Sequence, residues 1–262
     1  QPVDMLPASL THLEFGHYFN QTIDKLPDNV STLIIRGTFN QYADHLPPRV
    51  TYLSFGNHFD RPIDNLPTSI KRLKFGTRFN QLVNQLPWYL EKLEFGENFN
   101  KQVNMLPPML RSLTFGKQFN QYVGALPSTI TCLTFGDNFN QCADELPSSL
   151  KYLKFGCEFN RSVNQLPQLD SLCFGAGFNR PVDSLPSTLT YLKFGDRFNR
   201  CVEHLPANLE RLEFGADFNQ TVDKLPRSLR HLDFGFHFNQ CVDMLPSTIV
   251  HLMLRHGFKQ QI

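Results

Sequence analysis

One phrase of twenty residues, L-P-x-x-L-x-x-L-x-F-G-x-x-F-N-Q-x-V-D-x, recurs from one end of this chain to the other. Leu205–Lys224, LPANLERLEFGADFNQTVDK, states it fully. Leu-Pro returns thirteen times, at Leu6, Leu26, Leu46 and onward to Leu245, so almost nothing in the 262 residues lies outside the repeat. A strict period of this length admits few folds. Each copy is too small to bury its own apolar side chains and must stack on its neighbours, which is the condition of a solenoid. The unbroken period predicts a single continuous repeat domain over residues 1–262.

The apolar positions assign the strand. In the first full unit Leu10, Leu13 and Phe15 form L-x-x-L-x-F, and the last two alternate with His12 and Glu14. That alternation predicts a short strand with Leu13 and Phe15 inward. Stacked on its copies it becomes one long parallel sheet. Gly16 turns the chain out of the strand, either because a side chain is unwelcome there or because φ is positive. Of the 25 phenylalanines, thirteen share the column of Phe19, eleven share that of Phe15, and only Phe236 is left over.

Asn20 begins a column continued by Asn40, Asn80, Asn100, Asn120, Asn140, Asn160, Asn179, Asn199, Asn219 and Asn239, with Asp60 and Lys259 at the remaining rungs. Short amides in register predict a structural ladder that bonds the backbone of successive turns. The next column reads Gln21, Gln41, Arg61, Gln81, Lys101, Gln121, Gln141, Arg161, Arg180 and Arg200. Its cations place it in water. Ile23 and its equivalents return to the core, and Leu26-Pro27 predicts an extended or polyproline-like arc with no room for a helix. One residue is missing in the Leu166–Leu172 interval, in the arc before the strand.

With strand, ladder and arc assembled, the chain resembles an array of FNIP repeats. The motif reads Phe19-Asn20-Gln21-Thr22-Ile23 here and, more closely, Phe178-Asn179-Arg180-Pro181-Val182. That family is similar to short leucine-rich repeats and occurs mainly in amoebozoan and giant-virus proteins. The resemblance covers Leu6–Phe258. It implies a mainly β, right-handed, leucine-rich-repeat-like solenoid of about 13 rungs, with a parallel sheet on one face and turn-rich arcs on the other. It supplies no catalytic residue and no cofactor.

The residues themselves argue against chemistry. There is no phosphate-binding glycine loop, no G-x-S-x-G and no H-E-x-x-H. The Asp24 column is interrupted by Asn84, Asn104, Gly124 and Asn164, so it reads as local turn bonding and not as a cation ladder. His231 and His251, with Asp233, have a spacing that zinc could use, yet they read more simply as solvated sheet residues. No cofactor and no metal is expected. A formal charge of +1 speaks against a nucleic-acid partner, and no apolar run is long enough for a membrane span. Six cysteines without C-x-x-C, three of them sharing a column at rungs too far apart to pair, predict free thiols and a cytoplasmic setting, that of a host cell included.

The variable positions remain. The strand's outward columns hold Tyr52, Arg72, Lys74, Lys92, Tyr152, Lys154, Tyr191, Lys193, Arg211 and His231 on an otherwise constant frame, and are the expected surface for a protein partner. The column after Gln21 is unusually apolar, with Tyr42, Leu82, Tyr122, Cys142, Cys201 and Cys241. Partial burial in the arc or contact with a second copy would account for it. The latter makes a homo-oligomer, assembled through this face or through the ends, the alternative to a scaffold for other proteins.

Overall fold

A computed structural model of the chain describes residues 3–260. Contacts divide it into two units: residues up to Gln121 with Ala125–Ile130, and Tyr122–Gly124 with residues from Thr131 onward.

The first unit carries β1 (His12–Phe15), β2 (Thr32–Ile35), β3 (Tyr52–Phe55), β4 (Arg72–Lys74), β5 (Lys92–Glu94) and β6 (Ser112–Thr114). The second carries β7 (Cys132–Thr134), β8 (Tyr152–Lys154), β9 (Ser171–Cys173), β10 (Tyr191–Lys193), β11 (Arg211–Glu213), β12 (His231–Asp233) and β13 (His251–Met253). Within each unit every strand pairs in parallel with the next, column on column: Leu33 faces Leu53, and Leu192 faces Leu212. The strands span only three or four residues, because tight turns close on both sides of them. The missing residue leaves the register intact, since Ser171 still pairs with both Tyr152 and Tyr191. Its loss is absorbed in the arc, as expected.

Two turns shape each rung. Phe198 N–H donates to Gly195 O (3.3 Å), and Leu209 N–H donates to Pro206 O (3.2 Å). Proline therefore opens a four-residue turn, and the extended arc expected from Leu-Pro is tighter than that reading. Its fixed φ suits such a turn and its missing N–H costs nothing there. The only helical element among the described residues is a 3-10 turn at Val3–Met5.

Inside, the columns of Ile23, Val30 and Leu33 are buried except at the end rungs, and no polar or charged side chain is buried among the described residues. The first and last rungs are exceptions to the predicted inward set, and in the last Leu252 is exposed. Leu13, Phe15 and Phe19 are only half-buried, since they are covered from one side. Two phenylalanine columns fill most of each core. Rings of one rung lie nearly parallel, as in Phe75–Phe79 at 3.7 Å, and successive rungs follow at about 6 Å, as in Phe59–Phe79 at 6.1 Å.

The Asn column joins rung to rung through one atom. Asn40 N–H donates to Asn20 Oδ1 (2.9 Å), Asn100 N–H to Asn80 Oδ1 (2.9 Å), and Asn239 N–H to Asn219 Oδ1 (2.9 Å). Only an acceptor oxygen is required, so Asp60 serves equally: it takes Asn80 N–H at 2.9 Å. Lys259 needs only to donate its backbone N–H to Asn239, which explains a side chain with no acceptor at that rung. Asn219→Asp should therefore leave the denaturant midpoint nearly unchanged. Asn219→Ala strands the Asn239 N–H and should cost about 1–3 kcal/mol, read from urea unfolding.

The Gln and Arg column stays at the surface, with Arg161, Arg180 and Arg200 exposed as expected, and its side chains also fold back onto the preceding rung. Gln240 Nε2 reaches Asn219 O and Oδ1 (both 3.1 Å), while Arg180 Nε reaches Asn160 O (2.9 Å). Gln and Arg share the one property needed, an N–H donor on a chain of the right length. A third clasp comes from Ser or Thr after the Leu-Pro turn, as in Thr188 Oγ1 to Leu169 O (2.7 Å).

Candidate functional site

The strands set their first and third residues outward, and each unit presents its own cluster. In the first, Tyr52, Arg72, Lys74, Lys92 and Glu94 surround a shallow depression. Glu94 holds both lysines, with Lys92 Nζ at 2.7 Å and Lys74 Nζ at 3.2 Å. Burial pushes the Glu94 carboxyl up, but the two ammonium groups outweigh it and hold the pKa below its ordinary value. Arg72, one rung from Tyr52 and Lys92, has no ion-pair partner among the described residues.

In the second unit Glu213 is the hub. Its side chain is 13 % exposed and takes Lys193 Nζ at 2.8 Å and Arg211 Nη2 at 2.6 Å. Tyr191 donates its hydroxyl to the same carboxylate at 3.3 Å, and the Arg211 guanidinium lies 5.5 Å from the Tyr191 ring centre. Burial against Glu213 and opposite charges again compete, and the carboxyl ends below its usual range. Burial, then Cys173 and Glu213, push the Tyr191 hydroxyl strongly up, so it stays a neutral donor. Tyr152 and Lys154 lie two rungs before Tyr191 and Lys193, with Ser171 and Cys173 between.

Lys74 and Lys92 share the Glu94 carboxylate, and Lys193 and Arg211 share that of Glu213, so each cluster is ion-paired yet keeps a net positive charge. Cys173 occupies an outward column yet is buried, and burial raises its thiol pKa. His231 and His251 have ring centres 5.8 Å apart, with His251 Nε2 3.3 Å from Asp233 Oδ1. No three His, Cys, Asp or Glu side chains among the described residues converge as metal ligands.

On the arcs, Tyr42 (56 % exposed) and Leu82 (58 %) lie in the first unit, and Tyr122 (55 %) lies in the second, as do the exposed Cys142, Cys201 and Cys241. Partial burial therefore does not explain their apolar character. Tyr122 donates to Glu145, and the Arg61 guanidinium lies 5.3 Å from the Tyr42 ring centre. All six cysteines are free. Exposed Trp88, Tyr89 and Met109 form a further apolar arc region in the first unit that the strand columns do not reveal. Reading adjacent repeats at Leu86-Pro87-Trp88-Tyr89 and Leu106-Pro107-Pro108-Met109 as one surface would have found it.

Parallel strands of three or four residues, one per twenty-residue rung, over a phenylalanine-rich core define a leucine-rich-repeat-like β-solenoid. Within that class the chain belongs to the FNIP repeat family, whose model matches residues 2–38, 39–77, 59–98, 79–118, 119–158, 178–217 and 218–256. Among solved structures it is similar to CroV588 of a giant virus, described as a novel circular LRR protein structure, at 39% identity and a TM-score of 0.85. That match covers 100% of this chain but 46% of CroV588, so the chain spans less than half its length. YopM from Yersinia enterocolitica matches at 21% identity over 97% of this chain and 64% of that one, with a TM-score of 0.58. An internalin, InlF from Listeria monocytogenes, matches at 15% identity over 89% and 75%, with a TM-score of 0.65. These two likenesses are of fold alone. Comparison with curated proteins found no match. No helix among the described residues is long and apolar enough to cross a membrane.

Proposed function

We propose that the chain is a non-enzymatic recognition scaffold whose sheet face binds other proteins. The observation that carries this reading is the contrast between constant buried columns and the varied, preset outward clusters around Glu94 and Glu213. Side chains already held by neighbours lose little freedom on binding, so a partner gains their contacts at low entropic cost. Tyrosine and arginine at the centre of the second cluster are the residue types that dominate such interfaces. The free thiols suit work in a reducing compartment such as the cytoplasm.

Wild type and a Tyr152→Ser, Tyr191→Ser, Arg211→Ser variant, matched in melting temperature, should differ in affinity capture from a native lysate. Partners kept by wild type and lost by the variant, and then rebinding as purified proteins, are the expected result. Identical captures would overturn the sheet-face reading. The exposed Tyr42, Leu82, Trp88 and Tyr89 favour a second reading, self-association through the arcs. Solution mass rising above the monomer with concentration in the same preparations would select it.

A further inference from the structure

Arg161, Arg180 and Arg200 occupy one column on three consecutive rungs of the second unit. Each is fastened in the same way: its Nε donates to the backbone carbonyl of the rung before, Asn140 O (3.0 Å), Asn160 O (2.9 Å) and Asn179 O (3.1 Å). The anchoring uses Nε, and all three side chains remain exposed. Adjacent guanidiniums are thus stacked about one rung, ~4.8 Å, apart. None of the three has an ion-pair partner among the described residues, although the chain pairs many of its other cations across rungs.

The nearby carboxylates are already engaged. Asp144 Oδ2 accepts the Cys142 thiol at 2.9 Å, Asp183 faces His204 Nδ1 at 3.4 Å, and Glu203 holds Lys224 Nζ at 2.7 Å. Arg161 and Arg180 line one open depression together with Ser162, Asn164, Asp144 and Cys142. The Ser162 hydroxyl oxygen accepts Asn164 N–H (3.4 Å), which leaves its O–H available to donate. Two guanidinium forks one rung apart, with a hydroxyl and an amide beside them, match the several oxygens of a tetrahedral dianion better than a planar carboxylate. In the first unit the cations of this column, Arg61 and Lys101, stand singly between glutamines and offer no such pair.

We propose that Arg161 and Arg180, extended by Arg200, form a binding site for a phosphate group. The site lies on the arc side of the second unit and goes beyond the sheet-face reading, on which it does not depend. Free inorganic phosphate and a phosphoryl group carried by a peptide share the chemistry, and the test separates them.

Titration calorimetry with inorganic phosphate, and separately with a phosphoseryl peptide and its unphosphorylated acidic counterpart, gives the readout at low ionic strength. Arg180→Gln and Arg161→Gln are suited to the purpose because glutamine is the residue this column uses elsewhere for the same backbone clasp, so the fold is kept. Saturable binding, weakened at least about tenfold by either variant and unchanged by Arg61→Gln, is expected. Tighter binding of the phosphoseryl peptide than of inorganic phosphate would assign the group to a protein partner, and equal affinity would assign it to the free ion. No saturable binding, equal loss in Arg61→Gln, or equal affinity for the unphosphorylated acidic peptide would overturn the site.

Discussion

Gly195→Ala is expected to destabilise the chain by about 3 kcal/mol or more, whereas Gly16→Ala should change its stability by less than about 1 kcal/mol in either direction. A Cβ built on Gly195 falls on the carbonyl oxygen and carbon of Gly175 in the preceding rung, far inside van der Waals contact. The obstacle is backbone already committed to the stack, so no side chain can rotate away and the rungs themselves must part. On Gly16 the same Cβ meets nothing within 4 Å. Neither glycine has a positive φ, which belongs to Gly37 alone among the described residues, at 60°. Backbone freedom is thus held constant between the two variants, and only the close approach differs. Urea unfolding followed by circular dichroism would measure both. Equal midpoints would show that rung spacing, and not the glycine, adapts to the added methyl group.

That comparison marks how far the fold could be read from residues. Periodicity alone placed Leu33, Phe39 and Val83 in the core, because a buried column admits few side-chain types and thirteen copies expose the rule. It left the glycine column with two explanations, since close approach and positive φ both select the same residue. The Gln and Arg column was legible as solvated from its charges, but its backward reach was not. The rule linking Gln240 to Arg180 is a shared N–H donor, and the carbonyl it seeks is visible only once the preceding rung is in place. The outward sheet columns were legible in direction but not in electrostatics. That Glu213 pairs with both Lys193 and Arg211 depends on side-chain distances within and between strands, which a column of letters does not contain. Cys173 shows the same limit: its neighbours Tyr152 and Tyr191 cover it, although its position in the repeat points outward.

The phenylalanine columns set the other large effect. Phe79 is fully buried, lies 3.7 Å from Phe75 in its own rung, and is flanked by Phe59 and Phe99 at 6.1 Å on either side. Phe79→Ala removes a ring that three others touch, and the stacked backbone on both sides prevents collapse into the space. The expected loss is about 3–5 kcal/mol, combining lost transfer free energy with the cavity left behind. Phe79→Leu, which retains most of the volume, should lose clearly less. Phe19→Ala should also lose less, because Phe19 is only half-buried and has a neighbouring rung on one side, at Phe39. The ordering Phe79→Ala, then Phe79→Leu and Phe19→Ala, is the quantity to test by urea unfolding. In a stack whose rungs touch only their neighbours, a cavity at Phe79 weakens two inter-rung interfaces and one at Phe19 weakens one. Equal losses for Phe79→Ala and Phe19→Ala would mean that each rung is stabilised within itself, and that stacking between rungs is not what holds these units together.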